Sequence, residues 1–285
     1  LVSDLATYLL SGLTLAGSFA LVGSGIVVVY RVTHVLNFAQ GSFVVFGAFL
    51  SQTFHQLGVP PGLAELSAVI VVGLIGFVVG AVAIGKPGTH PMTSLLITLG
   101  MSLVSAAVII AVWGQNPVSP PGLTGTVRLF GAEVEVQRLL VLGVAVVTLA
   151  LMSVLFTRTD IGRALTAAAS NPRAARLVGI DTRIMGLLSF TIAGVLGGLA
   201  GVLIAPTTAV SVTSDLPFVL SALAAAVFGG LRSPWMTFVG AVVLGVTGQL
   251  VAGYASGSYQ TQIALIMMLV LMIARSRSFT VEEAK

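Results

Sequence analysis

Residues 158–183 read RTDIGRALTAAASNPRAARLVGIDTR and lie between two long runs, 139–156 and 184–205, that contain no charged residue. Seven of the chain's 22 charged residues fall within these 26 positions. The two flanking runs have the length and composition of membrane-spanning helices. A basic, polar segment between two such helices cannot lie in hydrocarbon. We therefore expect residues 158–183 to lie at a membrane surface, where a soluble partner can reach them.

The composition of the whole chain is that of an integral membrane protein. The chain is 56% hydrophobic and only 8% charged, with a mean hydropathy of +1.09, whereas soluble domains carry about 25% charged residues. The 33 glycines suit helices that pack closely in lipid. The absence of cysteine excludes disulfides and thiolate metal sites. A net charge of +4 without a basic soluble face argues against a nucleic-acid partner.

The apolar stretches predict an all-α, polytopic helical membrane protein with eight or nine transmembrane helices in a single domain, residues 1–285. A span needs about 20 mostly apolar residues. The first stretch follows Asp4 without a basic leader, and we interpret it as a span rather than a secretory signal. The second, seventh and ninth are short or glycine-rich, so we expect tilted, broken or re-entrant helices there. The stretches are 5–30, 37–54, 64–85, 92–113, 139–156, 184–205, 216–231, 235–254 and 259–274.

The basic residues predict the orientation, since Lys and Arg accumulate in cytoplasmic loops. With nine spans and residues 158–183 in the cytoplasm, eleven of the thirteen basic residues are cytoplasmic, all except Arg128 and Arg138. The N-terminus is then outside, and residues 275–285 form a cytoplasmic tail. Five acidic residues fall outside in this arrangement: Asp4, Glu65, Glu133, Glu135 and Asp215.

The longest external loop in this arrangement is 114–138. Apolar and polar residues alternate on both sides of Gly131, which predicts a β-hairpin around that glycine. The loop is either a compact linker or a surface that contacts an external partner.

The distribution of ionisable residues separates the classes of transporter. No predicted span carries Asp, Glu, Lys or Arg near its centre, which weakens an ion-coupled mechanism. The three histidines, His34, His55 and His90, lie at span ends away from acids, so no catalytic or metal site is predicted. The chain also lacks the Gly-x-x-x-x-Gly-Lys-Ser/Thr loop that binds nucleotides. If ATP drives transport, another subunit must bind it.

Several motifs together resemble those of the high-affinity branched-chain amino acid permeases of ATP-binding-cassette transporters. The run Asn37-Phe-Ala-Gln-Gly41 is similar to the Asn-Phe-Ala-His/Gln-Gly segment near the start of that family. Residues 161–180 resemble the family's cytoplasmic loop, and Ala174-Ala175-x-x-x-Gly179 resembles the core of its coupling motif. The likeness covers most of the chain and is nearer the shorter of the family's two permease types. One departure is Arg173, where a glutamate often opens the coupling motif.

The resemblance implies a function and a set of partners. It implies the permease subunit of an ATP-driven importer of branched-chain or other aliphatic amino acids in the bacterial inner membrane, without a cofactor. The implied partners are cytoplasmic ATP-binding subunits, a second permease in a heterodimer, an external substrate-binding protein and membrane lipid. Urea or short-chain amides are an alternative substrate class. A stand-alone channel or facilitator is the alternative from a different class.

Residues 157–183 form the predicted coupling segment. A short helix from about Asn171 to Gly179 would dock in a cleft of the ATPase, with Pro172 in its first turn and Gly179 at its end. For the arginines, positive-inside topology alone is the other explanation. The predicted coupling residues are Gly162, Arg163, Ala174, Ala175 and Gly179.

Residues 37–47 are the best sequence candidate for the translocation path. A break in a helix exposes a positive N-terminus that favours a carboxylate. Asn37 and Gln40 carry amides, while Gly41 and Gly47 permit a break. The competing interpretation makes Asn37 a helix cap and the glycines packing sites. Further path residues are proposed at Ser42, Thr98 and Ser102.

Overall fold

The computed structural model describes residues 2–84, 91–129, 132–231 and 233–254, together with residues 262, 266 and 270. Most of the predicted ninth span, 259–274, and the whole predicted tail, 275–285, lie outside the described residues. The helices of the described part are α1 Val2–Thr33, α2 Gln40–Gln56, α3 Leu63–Ile84, α4 Pro91–Trp113, α5 Val136–Arg158, α6 Asp160–Ser170, α7 Pro172–Leu177, α8 Thr182–Ile204, α9 Asp215–Phe228 and α10 Pro234–Tyr254.

The helical membrane class predicted from the sequence is confirmed. Within the described part of the chain, six helices are long and apolar enough to cross a membrane: Thr7–Thr33 of α1, α3, Met92–Trp113 of α4, α5, α8 and α10. The stretches predicted as the second and seventh spans form α2 and α9, which have only 17 and 14 residues. Eight or nine transmembrane helices remains a prediction, because the ninth stretch is not described.

Helices α1 and α8 form the centre of the bundle. Helix α1 lies antiparallel to α10, with Gly12 beside Val246 and Gly23 beside Thr237. Helix α8 is buried along most of its length and packs against α1, α2 and α3. In contrast, α4 and α5 present most of their apolar side chains outward, as helices in contact with lipid or another subunit do.

Helix α2 begins about halfway through the bundle. Residues 34–39 are not helical, and His34 has a positive φ of 56°. The first residue of α2, Gln40, packs against Gly25, which lies eight residues before the end of α1, a distance of about 12 Å along the helix. Gln40 also bonds to Ala193, the central residue of α8. The predicted break in the second span therefore lies on its N-terminal side, before Gln40.

Helix α9 also begins inside the bundle. After α8 ends at Ile204, the chain folds back, and Val210 exchanges both main-chain hydrogen bonds with Val118, which lies in the loop at 114–138, at 2.9 and 3.0 Å. A single 3-10 turn, Val212–Ser214, then leads into α9. Val210 and Val212 are buried although polar residues surround them in the sequence.

The structure corrects the predicted position of Asp215. The sequence places Asp215 in an external loop and finds no acid near the centre of any span. Instead, the Asp215 carboxylate lies 3.0 Å from the hydroxyl of Ser102, the central residue of α4. Hydropathy misplaced Asp215 because residues 207–215 are largely polar, which is typical of a loop outside the membrane.

The loop at 114–138 contains the predicted hairpin. Strand β1, Thr126–Leu129, pairs antiparallel with β2, Ala132–Glu135. Across the pair, the Arg128 guanidinium donates two hydrogen bonds to Glu133, at 2.8 and 3.0 Å. The hairpin around Gly131 is confirmed by its strands, although the turn at 130–131 is itself outside the described residues.

Candidate translocation and coupling sites

The two amide side chains at the start of α2 bond to each other and to the protein around them. The Asn37 amide donates to the Gln40 side-chain oxygen at 3.2 Å, and Gln40 donates to the Ala193 carbonyl at 2.9 Å. The main-chain N–H of Ala39 donates to Asn37 at 3.1 Å. Neither amide is more than 2% exposed. In this conformation both amides stabilise the non-helical segment before α2, because they form hydrogen bonds with each other and with neighbouring main-chain groups.

Thr98 of α4 fastens the non-helical segment before α2. Its hydroxyl accepts a hydrogen bond from the Phe38 N–H at 3.3 Å and lies 3.3 Å from the Leu36 carbonyl. The same hydroxyl is 2.9 Å from the Leu95 carbonyl of its own helix. Thr98 is fully buried, so its hydroxyl stabilises the non-helical segment before α2 from inside the bundle.

A row of three polar side chains joins α2, α4 and α9. The Ser42 hydroxyl donates to Ser102 at 3.2 Å, and Ser102 donates to the Asp215 carboxylate at 3.0 Å. A side chain at Gly41 would overlap the Asp215 carbonyl, so the first turns of α2 and α9 touch. Helix N-termini carry partial positive charge, and here two of them adjoin one carboxylate.

The predicted path residues thus divide into three groups. Asn37, Gln40 and Thr98 hold the break before α2, whereas Ser42 and Ser102 belong to the row that ends at Asp215. Gly41 permits the contact with α9, and Gly47 lies against Gly198 of α8, where a side chain would overlap the Gly198 carbonyl. Sequence reasoning missed Asp215. The available signal was its position directly before the apolar stretch 216–231, which is shorter than the roughly 20 residues that a span needs.

The opposite face of α9 lines a cavity of about 260 Å³. Its wall contains Phe19 of α1 and Phe218 of α9, whose ring centroids are 6.4 Å apart in an edge-to-face arrangement. Thr208, Ser214 and Ser221 also line it. The cavity therefore combines an aromatic wall with neutral polar groups.

In the predicted coupling segment, residues 157–183, α6 folds back tightly on the end of α5. The Thr159 hydroxyl caps α6 by accepting a hydrogen bond from the Gly162 N–H at 3.0 Å. Gly162 is buried, and a side chain there would overlap the Leu155 carbonyl. Arg163 points outward and lies 3.3 Å from Asp160. Gly162 therefore sets the angle of the segment, while Arg163 is available at its surface.

Helix α7 has a defined start and end. The Asn171 side chain caps it by accepting hydrogen bonds from the N–H groups of residues 173 and 174, and Pro172 is the first helical residue. At the other end, the Gly179 N–H bonds to the Arg176 carbonyl and the Ile180 N–H to the Ala175 carbonyl. This pair of bonds is a Schellman motif. Gly179 supplies the positive φ, 86°, that the motif needs.

The exposed surface of α7 differs from the surface expected from the motif. Ala175 is only 3% exposed and packs inward, whereas Ala174 is exposed. The largest exposed apolar side chains are Leu177 and Val178, at 88% and 76%. Sequence reasoning missed both, although two adjacent apolar residues in a polar, basic segment were a visible signal.

One protein family matches almost the whole chain. Residues 8–275 match the family described as branched-chain amino acid transport system, permease component. The chain belongs to this family. Membership makes it a multi-pass membrane permease component rather than a catalytic subunit, and it favours the permease interpretation over a stand-alone channel.

Individual relatives are distant but similar along most of their length. The LivH permease protein of the high-affinity branched-chain amino acid transport system of Salmonella typhimurium is 24% identical over 281 residues, covering 92% of this chain and 91% of LivH. A probable LivH of Methanocaldococcus jannaschii is 29% identical over 272 residues, covering 89% and 84%.

A solved structure has the same fold. A chain of PsaBC from Streptococcus pneumoniae, determined in complex with a Fab, aligns with a TM-score of 0.54 and 13% identity. The alignment covers 93% of this chain and 91% of that chain. At this identity the likeness establishes the fold alone.

Proposed function

We propose that this chain is the membrane permease subunit of an ATP-driven importer of branched-chain amino acids in the bacterial inner membrane. The observation that carries the proposal is the family match over residues 8–275, with relatives named for that transport along most of their length. ATP binding and hydrolysis belong to separate cytoplasmic subunits, since the sequence has no nucleotide-binding loop.

The surface that contacts the ATPase is α7 and the turn after it. Leu177 and Val178 project from a segment whose neighbours Arg173 and Arg176 are also exposed. Large exposed apolar side chains in a polar surface mark a contact site. Leu177 and Val178 therefore enter an apolar cleft of the ATPase, and the arginines pair with acids at its rim. Two of the predicted coupling residues, Gly162 and Ala175, are buried beneath this surface, and Gly179 ends its helix. The other two, Arg163 and Ala174, are exposed beside it.

The remaining partners follow from the same assignment. A second permease subunit completes a heterodimer, and an external substrate-binding protein delivers the amino acid to the outer side. The N-terminus is outside and the C-terminus cytoplasmic, which places the hairpin β1–β2 where the binding protein contacts the permease. ATP-driven closure of the ATPases then rocks the helices around a central site.

Within the permease, the two helices that begin inside the bundle line the path. Asn37, Gln40 and Thr98 keep α2 broken, and Gly41 and Gly47 let it pack against α9 and α8. Ser42 and Ser102 supply neutral hydrogen-bonding groups near the middle of the membrane. This arrangement suits a substrate that carries charges at one end and an apolar side chain at the other.

The ATPase contact can be tested with Leu177→Asp in the permease complex, using the ATPase subunit encoded beside it. We expect the affinity for the ATPase to fall by about tenfold or more, because a central apolar contact is worth at least about 1–2 kcal/mol. Leu57→Asp is a matched control, since Leu57 is 73% exposed but lies at the opposite end of the bundle. Unchanged ATPase affinity and transport in Leu177→Asp would contradict the assignment.

The substrate class can be tested with the reconstituted transporter in proteoliposomes. Uptake of radiolabelled leucine, isoleucine and valine is measured against urea and isobutyramide, with the binding protein and ATP present. Uptake of the three amino acids, and not of urea or the amide, is the expected result. The reverse selectivity would replace the proposed substrate with the alternative class.

A further inference from the structure

Asp215 has an unusual position for an acid in a membrane protein. It lies near the middle of the bundle, bonded to the central residue of α4, and it is partly exposed. Among the described residues, no Lys, Arg or His lies within ion-pair distance of it. A carboxylate at this depth is costly in hydrocarbon and almost always faces a polar path or a partner.

The side chains around Asp215 indicate what covers this face. Leu99 and Leu103 of α4 and Leu216 of α9 are 42%, 67% and 55% exposed, so Asp215 lies within an otherwise apolar outer face. Lipid would cover the leucines well but would leave the remaining acceptor positions of the carboxylate without a polar partner. A second permease subunit that packs against the leucines and leaves a hydrated path along Asp215 provides an apolar neighbour for the leucines and a polar one for the carboxylate.

We infer that Asp215 lines the path between the two permease subunits and binds the ammonium group of the amino acid as it passes. The inference rests on the proposed function and adds the residue that recognises the charged amine. Its chemistry favours a substrate with an ammonium group over urea or an amide, because a charged donor forms a stronger hydrogen bond with a carboxylate than a neutral one.

The hydrogen bonds already present leave room for this contact. One Asp215 oxygen accepts from Ser102 at 3.0 Å, and the other accepts from the Leu216 N–H at 2.7 Å. A carboxylate has about four acceptor positions, and an ammonium group has three donors. The Ser102 hydroxyl, which itself accepts a hydrogen bond from Ser42, holds the carboxylate in place, while the other acceptor positions of the carboxylate remain open to the substrate.

A resident metal ion is a poorer occupant than the ammonium group. No group of three or more His, Asp or Glu that could hold a metal is found among the described residues. Asp215 with two serine hydroxyls could hold at most a sodium ion, and sodium-dependent uptake would be the sign of that arrangement.

The test uses the complete transporter in proteoliposomes, with leucine as the substrate. Asp215→Asn should lower leucine uptake by about 10- to 100-fold, since charge-assisted hydrogen bonds have that effect when one partner loses its charge. Assembly with the ATPase should be retained, which shows that the variant folds. Asp215→Glu should retain more uptake than Asp215→Asn. Ser105→Ala, three residues from Ser102 on α4, is the matched control and should transport normally.

A second measurement uses the absence of cysteine from this chain. In Asp215→Cys, a methanethiosulfonate reagent that adds a sulfonate should restore part of the leucine uptake, whereas the aminoethyl reagent of similar size should not. The same complex without the substitution corrects for thiols on the partner subunits. Equal effects of the two reagents would overturn the inference, because charge would then be irrelevant.

The outcomes separate the inference from the function on which it rests. If the unmodified transporter takes up leucine and Asp215→Asn does so equally well, the ammonium site is wrong and the importer assignment stands. If the unmodified transporter takes up urea but not leucine, both are wrong. Leucine uptake that requires sodium and loses this requirement in Asp215→Asn would assign the carboxylate to the ion instead, and would overturn the inference.

Discussion

The side-chain amide of Gln40 donates a 2.9 Å hydrogen bond to the main-chain carbonyl of Ala193, and this bond ties the start of α2 to the middle of α8. The carbonyl belongs to a helix, where it normally accepts only from the N–H four residues later. Because Gln40 is fully buried, the bond fixes the depth at which α2 begins. The break before α2 is therefore a specified feature of the fold.

Replacing Gln40 with Leu should destabilise the permease. The substitution leaves the Asn37 amide without its partner in a buried position, and an unsatisfied buried polar group costs about 1–3 kcal/mol. The measurement is the apparent melting temperature of the purified complex in detergent. Gln56→Leu at the exposed end of α2 is the control and should change it little. A Gln40→Leu protein as stable as the unmodified one would contradict this role.

Gly41→Ala should impair transport more than stability. A methyl group at residue 41 would overlap the Asp215 carbonyl, so the first turns of α2 and α9 must separate and the row from Ser42 to Asp215 must lengthen. Overpacking of this kind costs about 1–3 kcal/mol. Gly100→Ala on α4 has open space around it and is the matched control. Leucine uptake in proteoliposomes is the measurement, and equal uptake by the two variants would contradict the contact.

Gly162→Ala should uncouple ATP hydrolysis from transport. The added methyl group would overlap the Leu155 carbonyl and push α6 away from the end of α5. Alanine alone would favour the helix by about 1 kcal/mol, so a loss would come from the displaced contact. Gly143→Ala in α5, which has nothing near it, should behave normally. The measurement is the ratio of substrate-stimulated to basal ATPase activity, and an unchanged ratio would exclude this role.

Gly179→Ala should weaken ATPase binding through the backbone alone. No atom lies within 4 Å of a side chain placed there, but φ is 86°, and a left-handed residue other than glycine costs about 1–2 kcal/mol. Gly179→Asn should be milder, because asparagine tolerates this conformation. Gly58→Ala is matched in φ and open space but lies at the opposite end of the bundle. If Gly58→Ala weakens ATPase binding equally, the effect is global and the prediction is wrong.

Hydropathy located the helices well because a helix that crosses the membrane must be apolar along most of its length. The predicted 92–113 and 184–205 nearly match α4 and α8. The end of α7 was also predictable, since a glycine after a short basic helix is a strong local signal. These features depend on nearby residues alone.

The position of Asp215 depends on residues far apart in the sequence, and hydropathy does not contain that information. Residues 207–215 are polar enough to predict an external loop, but Val210 pairs with Val118 and Gly41 lies against Asp215. Only these distant contacts bring the segment into the bundle. The inward orientation of Ala175 was missed for the same reason, because its burial is set by contacts outside the motif.

The two main-chain hydrogen bonds between Val118 and Val210 connect the loop at 114–138 to the chain that leads into α9. Only four residues separate Val210 from Asp215, so a displacement of this loop would be transmitted to the first turn of α9. A protein that binds the loop would thereby change the position of Asp215 without contacting it.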